Sequence, residues 1–233
     1  MKNLKITLQM LTLLLIVTLA SCKKDNGTAP EVEATPIATD ELLGHYITLT
    51  INGDPSLRLL YFSKEGNEIN ATLDYVNARR VQTVNLADNT FSFDFESNNQ
   101  KVYTFKLAKD DAGKLSLSSY SYKNQSDANI IADYAQIDKV SDAPAFKGKT
   151  FVQTGVSNSY LMFPLEVWVW NTTPTYNGVP ASDYYIISPG AWKGNRSGAD
   201  YIGIGVPRWK DNTGPVMLVQ KTGAAEVAVY KAM

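Results

Sequence analysis

Thr90-Phe91-Ser92-Phe93-Asp94-Phe95-Glu96 is the stretch that decides the fold. In an extended chain successive side chains point to opposite faces, so Phe91, Phe93 and Phe95 project one way while Ser92, Asp94 and Glu96 project the other. That alternation predicts a strand with one buried and one wet face. The next run repeats it, with Tyr103, Phe105 and Leu107 opposing Thr104, Lys106 and Ala108. Upstream, Ile47, Leu49 and Ile51 alternate with Thr48 and Thr50. Turn chemistry separates the runs at Asn52-Gly53-Asp54-Pro55, Glu65-Gly66-Asn67, Asp88-Asn89 and Asp111-Ala112-Gly113. Helical periodicity is missing past the N-terminus, the nearest approach being one turn at Thr39 to Leu43.

Counted this way, His45 to Val140 carries about eight short strands, the pattern of an antiparallel sandwich or an up-and-down barrel. Ser141-Asp142-Ala143-Pro144-Ala145 then reads as a boundary. A second series follows at Lys149 to Gln153, Leu161 to Trp170, Asp183 to Ser188, Tyr201 to Val206, Val216 to Gln220 and Glu226 to Tyr230. A faint repeat links the two series. Leu42-Leu43-Gly44-His45-Tyr46 opens the first and Phe146-Lys147-Gly148-Lys149-Thr150 opens the second, while Ile137-Asp138-Lys139 and Val229-Tyr230-Lys231 close them. A bulky residue, a spacer and Gly before the first strand resembles the opening of lipocalin-like barrels, without their usual tryptophan. The expected fold is therefore all-β and antiparallel, with two tandem barrel-like or sandwich domains at 40–141 and 146–233. One continuous β domain is the rival, because the linker is short and the second series shows fewer strands.

The N-terminus has the three parts of an export signal. Lys2 and Lys5 supply positive charge, Met10 to Leu19 an apolar run, and Ala20 and Ser21 the small residues before Cys22. The run is too short for the roughly 20 residues of a spanning helix. Leu19-Ala20-Ser21-Cys22 resembles the bacterial lipobox, which implies cleavage after a signal peptide at 1–21 and acylation of Cys22. Each buried acyl methylene contributes about 0.8 kcal/mol, so several chains together tether a folded domain to a bilayer. The tract 22–39 is poor in large apolar residues and reads as a flexible linker. Ser21-Cys22-Lys23-Lys24-Asp25 resembles lipoproteins of the Bacteroidota, and Lys23 after the cysteine implies the outer membrane, with periplasmic and surface faces both open. Cys22 is the only cysteine, so disulfides within the chain are excluded.

A net charge of −1 and a pI of 5.9 give no basic surface for nucleic acid. No catalytic set can be assembled. His45 is the only histidine and falls in phase with the apolar face of its strand. Gly155-Val156-Ser157-Asn158-Ser159 echoes a nucleophile elbow, but its final Gly is missing and no helix follows. Metal is not expected either, since Asp110-Asp111-Ala112-Gly113 matches ordinary hairpin turns and no Cys or His cluster exists. No cofactor is expected.

Ligand binding is the remaining chemistry, and its signal is aromatic. All four tryptophans lie between Trp168 and Trp209. Glu166, Trp168 and Trp170 fall on one side of their strand opposite Val167 and Val169, an arrangement that suits sugar: rings stack on pyranose C–H faces and the acid accepts hydroxyls. A packed aromatic face with Glu166 at its rim has the same pattern. Trp192 lies in a polar, glycine-rich stretch from Ser188 to Gly198 that reads as a loop, and Trp209 opens a hairpin loop ending at Gly214. Tyr201, Gly203 and Gly205 share a strand face, where bare glycines admit a flat ligand or a neighbouring ring. The candidate ligand residues are thus Glu166, Trp168, Trp170, Trp192 and Trp209. The leading expectation is a lipid-anchored, non-enzymatic binding or structural module of the cell envelope. A glycan-binding accessory lipoprotein and a lipocalin-like carrier of a small apolar ligand are the alternatives.

Overall fold

Both strand series are antiparallel meanders, and the described residues are all-β apart from two short 3-10 turns. The computed structural model describes residues 35–53, 56–164, 166–178, 180–210 and 214–233, which belong to one compact unit. The expected signal peptide at 1–21, Cys22 and the expected linker as far as residue 34 lie outside the described residues. Thr35 to Ile37, placed in the linker from composition, are held against the first series. Asn89 accepts from the Ile37 amide at 2.9 Å and donates to the Thr35 carbonyl at 2.9 Å, and Ile37 is buried.

The first series runs β1 (His45–Ile51), β2 (Leu57–Glu65), β3 (Glu68–Tyr75), β4 (Ala78–Thr83), β5 (Thr90–Asp94), β6 (Lys101–Lys109), β7 (Leu115–Asn124) and β8 (Ala132–Lys139). One sheet has the order β4-β3-β2-β1-β8 and the other β5-β6-β7. The phenylalanine stretch behaves as its alternation requires. Phe91, Phe93 and Phe95 are buried, and Phe91 stacks on Phe105 with ring centroids 5.1 Å apart. Leu42, Ile47, Leu49, Leu60 and Leu73 join them in one core between the sheets. Between β4 and β5 the Gln82 side chain stands in for backbone pairing: Nε2 donates to the Ser92 carbonyl at 3.0 Å and Oε1 accepts from the Asp94 amide at 2.9 Å. The Asp88-Asn89 turn has positive φ at both residues, the geometry of a tight hairpin turn.

The second series runs β9 (Thr150–Gln153), β10 (Tyr160–Met162), β11 (Val167–Asn171), β12 (Ser182–Ser188), β13 (Ala191–Arg196), β14 (Ala199–Val206), β15 (Val216–Lys221) and β16 (Ala228–Ala232). Consecutive strands pair and β16 returns to β9, so this meander closes into a barrel. Closure satisfies the edges that an open sheet would expose. Two strands escaped the sequence reading. Leu161 to Trp170 divides into β10 and β11, and the stretch expected as a loop from Ser188 to Gly198 contains β13. Its glycines suggested a loop, yet Gly194 serves packing.

A Cβ on Gly194 would lie 2.6 Å from Trp168 Nε1, and one on Gly203 only 2.1 Å from Trp192 Nε1. Each glycine therefore leaves room for an indole that crosses the barrel, the second of the two uses open to Gly203. Trp168, Trp192, Phe151, Phe163, Tyr201 and Tyr230 pack together with Met217 and Val219, so aromatic rings fill the barrel centre.

The other side of β14 and β15 is also largely apolar. Ile202, Ile204, Val206, Val216 and Leu218 pack against Tyr46, Leu57 and Leu59 from the outer face of the first sheet. Polar contacts register this shared face: Tyr46 Oη donates to the Gly205 carbonyl at 2.9 Å, and the Leu57 amide donates to Gln220 Oε1 at 2.8 Å. The boundary Ser141 to Ala145 is packed as well, since a Cβ on Gly205 would meet Pro144 Cγ at 2.9 Å. The repeat signature has a structural counterpart. Gly44 and Gly148 both take positive φ, 75° and 72°, while Leu42 and Phe146 are each buried in the core of their own series.

Candidate binding site

The five candidate ligand residues do not form one surface. Trp168 and Trp192 are 0 % exposed, and their rings lie 5.0 Å apart inside the barrel. Trp192 Nε1 is buried without a hydrogen-bond partner among the described residues, so the ring is kept there for its shape. Trp209 is buried on the shared face, 4.4 Å from the Tyr134 ring. Glu166 is exposed, just before β11, and pairs with Lys147. Of the five, only Trp170 combines an aromatic ring in the barrel with partial access to solvent.

Trp170 lies on β11, and alternation puts it on the same inward side as Trp168, 4.9 Å away by ring centroids. Tyr201 packs edge-on to Trp170 at 4.9 Å, and Tyr230 lies at 6.5 Å. A hydrogen-bonded chain fixes this group: Trp170 Nε1 donates to Tyr230 Oη at 2.6 Å, Tyr230 Oη donates to Gln153 Oε1 at 3.2 Å, and Ser159 Oγ donates to the same oxygen at 2.7 Å. Burial raises the pKa of Tyr230, which keeps the phenol protonated and able to donate. The chain crosses the closure of the barrel, because Tyr230 on β16 and Gln153 on β9 are cross-strand partners.

These residues border a cleft of about 540 Å³, whose polar lining includes Asn158, Asn171, Lys221 and Glu226. Hence the barrel is filled at its centre and open at this mouth. A few directed polar groups beside an aromatic surface, in a cleft of this size, are the ordinary features of a small-molecule site. Tyr201 is noted in the sequence for its strand face, but Tyr230, Gln153 and Ser159 are not among the ligand candidates. Gln153 and Tyr230 are 77 positions apart, and only barrel closure brings them together.

The remaining motifs have local explanations. Gly155 to Ser159 is the turn joining β9 and β10, and contributes Asn158 and Ser159 to the mouth. Asp110 to Gly113 is the β6–β7 turn, with Asp110 Oδ1 accepting from the Lys114 amide at 2.8 Å. His45 begins β1, and burial lowers its pKa. Among the described residues no group of three or more His, Cys, Asp or Glu is placed to hold a metal. No helix among them is long and apolar enough to cross a membrane. No protein-family model, curated protein or solved structure matches the chain.

Proposed function

We propose that this protein is a lipid-anchored, non-enzymatic binding module of the bacterial cell envelope, tethered at the outer membrane through Cys22. Its ligand site is the mouth of the second barrel, and its ligand class is the end of a neutral oligosaccharide. The observation that carries the ligand reading is Trp170, partly open to solvent and locked through Nε1 to Tyr230 and Gln153. A ring fixed in advance loses little entropy on stacking against a sugar face. Asn158, Asn171, Lys221 and Glu226 supply donors and acceptors for hydroxyls around it. The apolar-carrier alternative has less support, since the barrel centre is occupied by Trp168, Trp192 and Phe163. On this reading the two strand series are lipocalin-like modules in tandem, joined face to face through the Tyr46–Gly205 and Leu57–Gln220 contacts.

Tryptophan fluorescence tests the site. Cellobiose, maltotriose, xylobiose and chitobiose are titrated into the protein beside palmitate. A saturable change with one sugar, lost in Trp170→Ala while the circular dichroism spectrum is kept, is expected. A response to palmitate alone would replace this reading with the carrier, and silence toward every probe would leave a structural module. Anchoring is tested separately by incorporation of alkyne-labelled palmitate, which Cys22→Ser should abolish.

A further inference from the structure

A second cleft lies where the two strand series meet. It has a volume of about 400 Å³ and is bordered by Asp74, Arg79, Tyr185, Lys193, Asn195 and Asp200. Asp74 on β3 is 0 % exposed, and it accepts from two cations at once: Lys193 Nζ at 2.7 Å and Arg79 Nε at 3.0 Å. Tyr61 Oη also donates to it, at 3.3 Å. Lys193 comes from β13 of the barrel and is itself buried, with a further bond to the Ala78 carbonyl at 3.3 Å. Two cations around this carboxylate leave one positive charge in excess there, which the second carboxylate bordering the cleft, Asp200, balances over the cleft as a whole.

Arg79 carries that excess to the cleft. Its side chain is 50 % exposed and reaches Asp74 through Nε, so the two terminal nitrogens remain for another partner. That planar fork matches a carboxylate in two parallel bonds. Asp200, held by Asn195 Nδ2 at 2.8 Å, borders the same cleft and supplies an acceptor for hydroxyls. Tyr185 is 58 % exposed and adds a ring surface at the edge. A cationic fork, a hydroxyl acceptor and an exposed aromatic ring are the three features that a uronic acid would use.

We propose that this junction cleft is a second binding site, which takes an acidic monosaccharide unit with its carboxylate on Arg79. The site is composite: β3 and β4 supply Asp74 and Arg79, while β12, β13 and β14 supply Tyr185, Lys193, Asn195 and Asp200. It shares only Tyr201 with the lining of the barrel mouth.

Isothermal titration of the protein with D-glucuronate, D-glucose, acetate and sulfate tests it. Glucuronate should bind at least about tenfold more tightly than the other three, the margin of one charge-assisted pair added to ring contacts. Arg79→Gln, a change at a half-exposed side chain, should bring glucuronate down to the glucose level, and Trp170→Ala should leave it unchanged. Glucuronate no tighter than glucose, sulfate or acetate as tight as glucuronate, or binding indifferent to Arg79→Gln would each overturn the proposal. Loss in Trp170→Ala would overturn it too, by assigning the ligand to the barrel mouth.

Discussion

Gly203→Ala should destabilise the protein far more than one methyl group ordinarily does. The added Cβ would lie 2.1 Å from Trp192 Nε1, 2.3 Å from Cε2 and 2.7 Å from Cζ2. Carbon atoms rest about 3.5–4.0 Å apart, so the indole would have to retreat by more than about 1 Å. It has nowhere to go, with Trp168 at 5.0 Å and Phe163 at 5.4 Å by ring centroids. Overpacking of this kind costs about 1–3 kcal/mol, occasionally more, against a gain of about 0.4–1 kcal/mol from the stiffer unfolded chain. At a strongly hindered position a net loss of about 2–3 kcal/mol is expected, or a fall in Tm of about 4–12 °C for a chain of this size. Urea unfolding followed by far-ultraviolet circular dichroism measures it without relying on the tryptophan signal. Gly214→Ala is the control, because nothing lies within 4 Å of its Cβ position. Removing the obstacle completes the cycle: Trp192→Leu is costly alone, but combined with Gly203→Ala it should show a coupling of about 1–3 kcal/mol. Additivity within about 0.5 kcal/mol, or a silent Gly203→Ala, would refute the matched glycine and indole.

Lys193→Met should cost about 3–5 kcal/mol, because it strands the buried Asp74 carboxylate with only the half-exposed Arg79 as a cation, whereas Asp74→Leu with Lys193→Met should recover much of the loss in thermal unfolding. Gln82→Ala should open the β4–β5 seam, costing about 1–2 kcal/mol and raising hydrogen exchange at the Asp94 amide, while the β5–β6 amides stay protected. Burial raises the pKa of Asp138, despite bonds from Gln136 Nε2 at 2.6 and 2.8 Å. Its protonated form is thus favoured by folding, and this contribution is full below the unfolded pKa and is lost as pH rises through the folded one. Asp138→Asn should therefore be relatively more stable than the parent at pH 7 than at pH 3, and urea midpoints at the two pH values check the sign.

Period-two reading exposed the first series almost completely, because each of its strands is wet on one face or bounded by a recognisable turn. It was less complete for the second. β13, the strand read as a loop, is covered on both sides, by indoles within and by the first sheet without, so Ala191 to Gly194 are all buried and their polar–apolar alternation disappears. Lys193 looked like a loop residue for the same reason: its charge is neutralised by Asp74, 119 positions away. Three of the four tryptophans, Trp168, Trp170 and Trp192, do come together in the barrel, while Trp209 lies apart on the shared face. In a barrel, alternation assigns Trp168 and Trp170 to the same side, and only depth along the strand separates the buried ring from the accessible one.

Depth also explains how a filled barrel leaves an aromatic ring accessible at its mouth. Trp168 and Trp192 make the floor on which Trp170 and Tyr201 rest, and the matched glycines at 194 and 203 give those two indoles their space. Rigidity then passes outward to the mouth through ring contacts and through the bond from Trp170 Nε1 to Tyr230 Oη. The outer face of the same strands is committed to the first series, which brings Lys193 to Asp74 and leaves Arg79 at the rim. Tyr201 borders both clefts, so a substitution there is the one change that should disturb the mouth and the junction together.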